Sequence, residues 1–186
     1  AYTKIMKGAD DFTHWLNEVF DGLGLEQNIN LIGLSYGGWL VSRYALKFPQ
    51  RLKKLVLMAP AGISAFPLRF IVFAIFLSLF QFRIRFLFKQ LTRWMFVDFL
   101  KLQENSEEKF NQWFDFIYLG LKSHKAQPIV FAKILTDQEL SSLNVPTLFL
   151  TGENEIIYSV KKAIARIQSV APNIHTKVIK NAGHDL

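Results

Sequence analysis

Apolar positions recur along this chain first with a helical period and then in short continuous runs. After Asp10 and Asp11 come Phe12, Trp15, Leu16, Val19, Phe20 and Leu23, spaced i, i+3, i+4, i+7. That spacing predicts an amphipathic helix with acids at its positive end and Gly24 as its stop. Asn28 and Asn30 lead into Leu31-Ile32-Gly33-Leu34, an apolar run that reads as a buried parallel strand. A second helix is predicted from Gly37 through Leu40, Tyr44 and Ala45 to Phe48, where Pro49 ends it. Arg51, Lys53 and Lys54 then form a short loop before a second buried strand, Leu55-Val56-Leu57-Met58-Ala59, closed by Pro60 and Gly62.

From Ile63 to Lys125 the alternation stops, and Phe, Leu and Trp without hairpin punctuation predict several helices. After Pro128 it returns: a strand at Pro146–Leu150, a helix at Val160–Val170 and a last strand at Thr176–Ile179. Strands alternating with helices predict an α/β fold with a parallel sheet and right-handed crossovers. Residues 1–62 and 126–186 form its core. Residues 63–125 are a helical insertion, expected to act as a cap.

Composition alters this picture little. The net charge of +7 raises nucleic acid or an anionic membrane as partners, but no long basic run supports nucleic-acid binding. With no cysteine, the fold uses neither disulfides nor thiolate metal sites, which suits a cytoplasmic location. Ala1–Lys7 has no apolar signal-peptide core, and the apolar stretch Phe70–Phe82, bounded by Arg69 and Arg83, is too short to span a bilayer. Phe66, Phe70, Phe73, Phe76, Phe80, Phe82, Phe86 and Phe88 cluster there, with Arg69, Arg83, Arg85, Lys89 and Arg93 interleaved. Two readings compete: a cap with arginines snorkelling outward, or an interfacial helix on an anionic membrane. Apolar residues nearly all round from Ile71 to Phe80 favour the buried cap.

The candidate chemistry lies between the first strand and its helix. Gly33-Leu34-Ser35-Tyr36-Gly37-Gly38 contains the G-x-S-x-G elbow, preceded by a strand and followed by a helix. A nucleophile held in a strained turn needs flanking positions free of side chains, and Gly33 and Gly37 are expected to supply them. Ser35 would then project its hydroxyl beyond the strand's C-terminal end, with the Tyr36 amide as one oxyanion donor.

On these residues the sequence resembles the α/β-hydrolase family over nearly its whole length. Phe48-Pro49-Gln50-Arg51-Leu52 resembles the end of the family's nucleophile helix, and Val145–Glu155 its acid-bearing strand. Asn181-Ala182-Gly183-His184 resembles its histidine loop. Thr136-Asp137-Gln138-Glu139-Leu140 and Val178–His184 are similar to bacterial carboxylesterases of the Bacillus type. The resemblance implies a serine, acid, histidine order, with His184 as base rather than His14, His124 or His175. In the family pattern the acid is the third residue after the glycine, so Gly152-Glu153-Asn154-Glu155 assigns it to Glu155 and leaves Glu153 solvated or bracing the loop. Most relatives use Asp there, and the Bacillus-type esterases resemble an exception that uses Glu.

The implied reaction is ester hydrolysis through an acyl-enzyme, on a small-molecule ester with an apolar part. No metal-ligand spacing, dinucleotide fingerprint or phosphate loop is present, so no metal or cofactor is implied. Two other readings stay open: a membrane-surface lipase or acyltransferase, and a non-catalytic binding protein of this shape. The family's earlier strands, its loop giving a second oxyanion donor and its closing helix have no counterpart in these residues. Self-association of such a chain is therefore expected.

Overall fold

A computed structural model describes residues 5–68, 70–72, 84–96, 106–123 and 130–186. Most of the Phe70–Phe82 run, with Arg69, Arg83, Asp98 and His124, lies outside the described residues. Helix α1 (Ala9–Gly22) is followed by strand β1 (Ile29–Leu34), helix α2 (Tyr36–Lys47), a 3₁₀ turn at Pro49–Arg51 and strand β2 (Leu52–Met58). Helices α3 (Arg85–Met95), α4 (Ser106–Ser123) and α5 (Asp137–Ser141) come next. Strand β3 (Thr147–Gly152), helix α6 (Val160–Val170) and strand β4 (His175–Ile179) complete the order.

The four strands form one parallel sheet in the order β1-β2-β3-β4. Leu31, Gly33, Leu55, Leu57, Thr147 and Phe149 share one face by their pairing. Against that face pack Trp39, Val41 and Ala45 of α2 and Ala163 and Ile167 of α6. Phe20 of α1 closes a smaller cluster with Ile29 and Tyr44. The opposite face differs from the sequence expectation of a strand buried on both sides. Ile32 is 63% exposed and Leu34 41%, because the core helices α1, α2 and α6 lie on the Leu57 side. Among the described residues β1 is an edge strand.

One boundary and one burial differ as well. Lys53 and Lys54 belong to β2 rather than to a loop: the strand pairs from Leu52, ahead of its apolar part. Arg51 is buried, not a solvated loop residue. Its Nε and Nη2 donate to the Glu26 and Leu25 carbonyls at 3.0 and 2.5 Å, and its Nη1 lies 2.7 Å from an Asp21 carboxylate oxygen. Carbonyls and a carboxylate meeting its donors make the burial of this guanidinium tolerable, and they tie the loop before β1 to α1.

Between β2 and β3 the described part of the insertion is helical. Phe88 of α3 packs with Phe110 and Phe114 of α4, and Phe96, Trp113 and Tyr118 surround them. Arg85 lies 5.6 Å from the Phe114 ring centre, Lys89 5.8 Å from the same ring and Arg93 5.4 Å from Phe110. Arg85 also pairs with Asp115, and Arg93 with Glu107. These cations therefore lie along the insertion's own aromatic cluster, and the charged end of Arg85, paired with Asp115, stays half exposed. Helix α5 begins with a capping box: the Thr136 hydroxyl accepts from the Glu139 amide, and the Glu139 carboxylate accepts from the Thr136 amide.

Candidate active site

Ser35 stands at the turn between β1 and α2 with φ 53° and ψ −117°, a conformation L-residues rarely adopt. Three backbone hydrogen bonds hold it. Its amide donates to the Met58 carbonyl at 2.9 Å, and its carbonyl accepts from the Trp39 and Ala61 amides at 3.2 and 2.9 Å. The nucleophile turn is thus fastened both to its own helix and to the loop leaving β2.

The glycines around it divide their work differently from the sequence expectation. A Cβ on Gly33 would run into the Gly37 carbonyl, so Gly33 is required as predicted. A Cβ on Gly37 would meet nothing within 4 Å. Gly37 contributes a backbone lying close to Gly33, not a vacancy at its own side-chain position. The second crowded position is Gly38, where a Cβ would come within 2.7 Å of the Pro60 side chain. The doubled glycine was the available signal for it.

The other two side chains arrive from the far side of the sheet. Glu155 follows β3, is 8% exposed, and accepts through Oε1 from the Ile156 and Ile157 amides at 2.7 and 2.9 Å. Those donors fix the carboxylate's direction. His184 follows β4, is 3% exposed, and has Nδ1 at 3.0 and 2.9 Å from the two Glu155 carboxylate oxygens. Its Nε2 is 2.8 Å from Ser35 Oγ. With Nδ1–H donating to Glu155, Nε2 is left as an acceptor for the Ser35 hydroxyl. A carboxylate, an imidazole and a hydroxyl so connected can move a proton off the serine and stabilise the imidazolium that results.

Two loops must be held together for this contact. Gly152 ends β3, and a Cβ there would run into the Ala182 and Gly183 carbonyl oxygens of the His184 loop. The Glu153 amide donates to the Ile179 carbonyl at 2.9 Å, and the Asn154 amide to that of Ala182 at 2.8 Å. The Glu153 carboxylate accepts from the Asn181 amide at 3.1 Å, with Asn181 itself at φ 58°. Glu153 therefore braces the loop, while Glu155 reaches the histidine. Beneath them Tyr158, 3% exposed, donates to Thr151 Oγ1 at 3.1 Å. Burial is the main reason its phenol is held far above the usual tyrosine range, so it remains a neutral donor. Sequence reasoning passed over both Gly152 as a spacing requirement and Tyr158 as a support.

The other described histidines, His14 and His175, take no part. His14 stands edge-on to Phe48 at 6.2 Å, and His175 lies within β4, paired beside Leu148. The Tyr36 hydroxyl donates to the Val130 carbonyl at 2.7 Å, a contact that sequence reasoning did not anticipate. Among the described residues no group of three or more His, Asp or Glu side chains is arranged to hold a metal ion, and no helix is long and apolar enough to cross a membrane.

The sheet, the strained serine turn and the loops converging on it define a protein of the α/β-hydrolase class. Residues 7–186 match the alpha/beta hydrolase fold family, and the chain belongs to it. It is 35% identical over 180 residues to the uncharacterized carboxylesterase nap of Bacillus subtilis (strain 168), covering 95% of this chain and 57% of that protein. To carboxylesterase YbfK of the same organism it is 32% identical over 184 residues, covering 96% of this chain and 58% of the relative. The crystal structure of naproxen esterase (carboxylesterase NP) from Bacillus subtilis superposes with a TM-score of 0.77 at 32% identity, over 96% of this chain and 60% of the other. The chain thus spans somewhat under three-fifths of the length of these curated relatives.

Proposed function

We propose that this chain carries the nucleophile, base and acid of a serine carboxylesterase, in Ser35, His184 and Glu155. The observation that carries the reading is the continuous line Ser35 Oγ to His184 Nε2 to the Glu155 carboxylate, at 2.8 Å and 2.9 Å, with His184 and Glu155 buried. Likeness to two Bacillus carboxylesterases supports the reaction class.

In this reaction His184 Nε2 takes the Ser35 proton as Oγ attacks the ester carbonyl. The tetrahedral oxyanion gains support from the Tyr36 amide, at the first turn of α2 where the helix dipole favours negative charge. Collapse expels the alcohol, which receives the proton from His184, and leaves Ser35 acylated. Water then attacks the acyl carbon while His184 removes its proton, and the acid departs with Oγ reprotonated. Glu155 holds the Nδ1–H tautomer and offsets the imidazolium charge at each transfer. No step calls on a cofactor or metal.

The residue 63–125 segment is read as a cap giving apolar walls to an ester-binding space. Its aromatic cluster and the engagement of Arg85, Lys89 and Arg93 with that cluster support a cap over a membrane-surface element. Small-molecule esters with an apolar part are the proposed substrates. The test is labelling by a fluorophosphonate probe, located by mass spectrometry, together with Ser35→Ala. Labelling at Ser35 and a loss of about 10⁴ or more in turnover of p-nitrophenyl esters are expected. Label at another residue, or a Ser35→Ala variant with most of its activity, would refute the assignment.

A further inference from the structure

The insertion joins the core through two arms that meet directly beside Ser35. The outgoing arm, Ala59–Ile63, is bonded to the nucleophile turn by the Ala61 amide, which donates to the Ser35 carbonyl at 2.9 Å. The returning arm, 130–136, has no regular secondary structure, so its carbonyls need other partners. Side chains of α2 supply them: the Tyr36 hydroxyl donates to Val130 at 2.7 Å and Trp39 Nε1 to Lys133 at 3.0 Å. The arms also bond each other, through the Leu135 amide and the Gly62 carbonyl at 2.8 Å. Gly62 sits at φ 78°, and a Cβ there would press on Trp39 and the Lys133 carbonyl. The neck is therefore narrow, closely packed and rooted in Ser35, Tyr36 and Trp39.

One side chain spans both arms. From α6, Arg166 Nη1 donates to the Ile63 carbonyl at 2.6 Å, and Nη2 to the Leu135 carbonyl at 2.6 Å. Its Nε and Nη2 also meet Asp137 Oδ1, at 2.8 and 2.6 Å. The planar fork of donors holds two carbonyls and a carboxylate in fixed directions, which a rotatable ammonium does not, and Asp137 fixes the plane of that fork. Resting on the serine esterase reading above, we infer that Arg166 is a positioning residue for acyl-group selection. By locking the neck it sets where the insertion stands relative to Ser35. It has no part in the Ser35–His184–Glu155 line, so its loss acts through substrate size. A short acyl group needs little from the insertion, whereas a long one depends on where its walls stand.

The experiment compares Arg166→Lys and Asp137→Asn with the parent protein, using p-nitrophenyl acetate and p-nitrophenyl octanoate. Arg166→Lys keeps the charge and loses the fork. Asp137→Asn keeps the fork and loosens its plane, so it decides the matter should the first variant fold poorly. For Arg166→Lys, kcat/KM for acetate is expected to stay within about twofold, while that for octanoate falls about tenfold, chiefly through KM. Asp137→Asn is expected to shift the ratio in the same direction by less. Equal losses on both esters that track a fall in melting temperature would make Arg166 merely structural and overturn the inference. An unchanged octanoate-to-acetate ratio in variants still labelled at Ser35 would overturn it alone. A parent protein neither labelled nor active on either ester would overturn the esterase reading and this inference with it.

Discussion

Replacing Gly152 by alanine tests whether the acid and histidine loops are held together by backbone contact. Gly152 is the last residue of β3, three before Glu155, and its missing side chain leaves room for the Ala182 and Gly183 carbonyl oxygens. An added Cβ would strike those main-chain atoms, which cannot swing aside as a side-chain tip can. Restoring ordinary contact requires the His184 loop to retreat by about 1 Å. The bonds between His184 and Glu155, now 3.0 and 2.9 Å, would then exceed hydrogen-bond length. Overpacking of this kind costs about 1–3 kcal/mol of stability. A 1 Å misplacement costs about 10² in turnover, and complete loss of the orienting acid about 10⁴. Gly152→Ala should therefore lower kcat on p-nitrophenyl acetate by about 10²–10⁴ while most of the protein stays folded at 25 °C. The comparison is Gly22→Ala, at the end of α1, where an added Cβ meets nothing and stability should change little or rise. Steady-state kinetics and thermal melts on both variants decide it. A Gly152→Ala protein keeping a third or more of the parent kcat would show that the loops are not spaced by this contact.

Two other predictions concern carboxylates. Glu155→Gln should lower kcat by about 10⁴ and Glu153→Gln by about threefold or less, with circular dichroism unchanged; the reverse order would exchange their roles. Glu139 has its pKa lowered overall: burial pushes it up, but hydrogen bonds from Thr136 and from Arg43 outweigh that. Its stabilising contribution is therefore complete above the ordinary value of 4.5 and is lost as pH falls through the depressed folded value. Glu139→Gln should accordingly lose less stability than the parent between pH 5 and pH 3 in urea titrations, and equal losses would refute the linkage.

Hydrophobic spacing carried most of the architecture, because a helix face or a buried strand must be written in local apolar positions. All four strands and the helices α1, α2 and α6 stand near where that spacing puts them. The strand boundaries at Lys53 and Lys54 were illegible because strand pairing uses backbone atoms, whatever the side chain. Ser35, Glu155 and His184 were found through motif and family pattern, and the three side chains do converge. What the sequence could not express were contacts between distant backbones. Gly38 against Pro60, Gly152 against Ala182 and Gly183, and Arg166 across Ile63 and Leu135 each depend on two segments meeting in space. A lone glycine or arginine reads the same whether or not such a neighbour arrives.

The strain at Ser35 bears on how the site keeps its shape. A residue at φ 53° with ψ −117° costs on the order of 1–3 kcal/mol and relaxes unless its surroundings fix it. Here the fixing comes from the sheet itself. The Ser35 amide continues the β1–β2 hydrogen bonding one step past Leu34, onto Met58. Ala59, also at positive φ, does the same from β2 to β3 by donating to Leu150 at 2.8 Å. Two strained residues on adjacent strands thus extend the ladder just where each chain must leave the sheet. Relaxing Ser35 would break its bond to Met58 and disturb the Ala61 contact that roots the insertion. The serine's posture, the strand ends and Ala61 therefore form one coupled arrangement, while Arg166 grips the outgoing arm two residues further on, at Ile63. A sequence change at Ala59–Ala61 should reach the hydroxyl more readily than one of equal size on the helix surface.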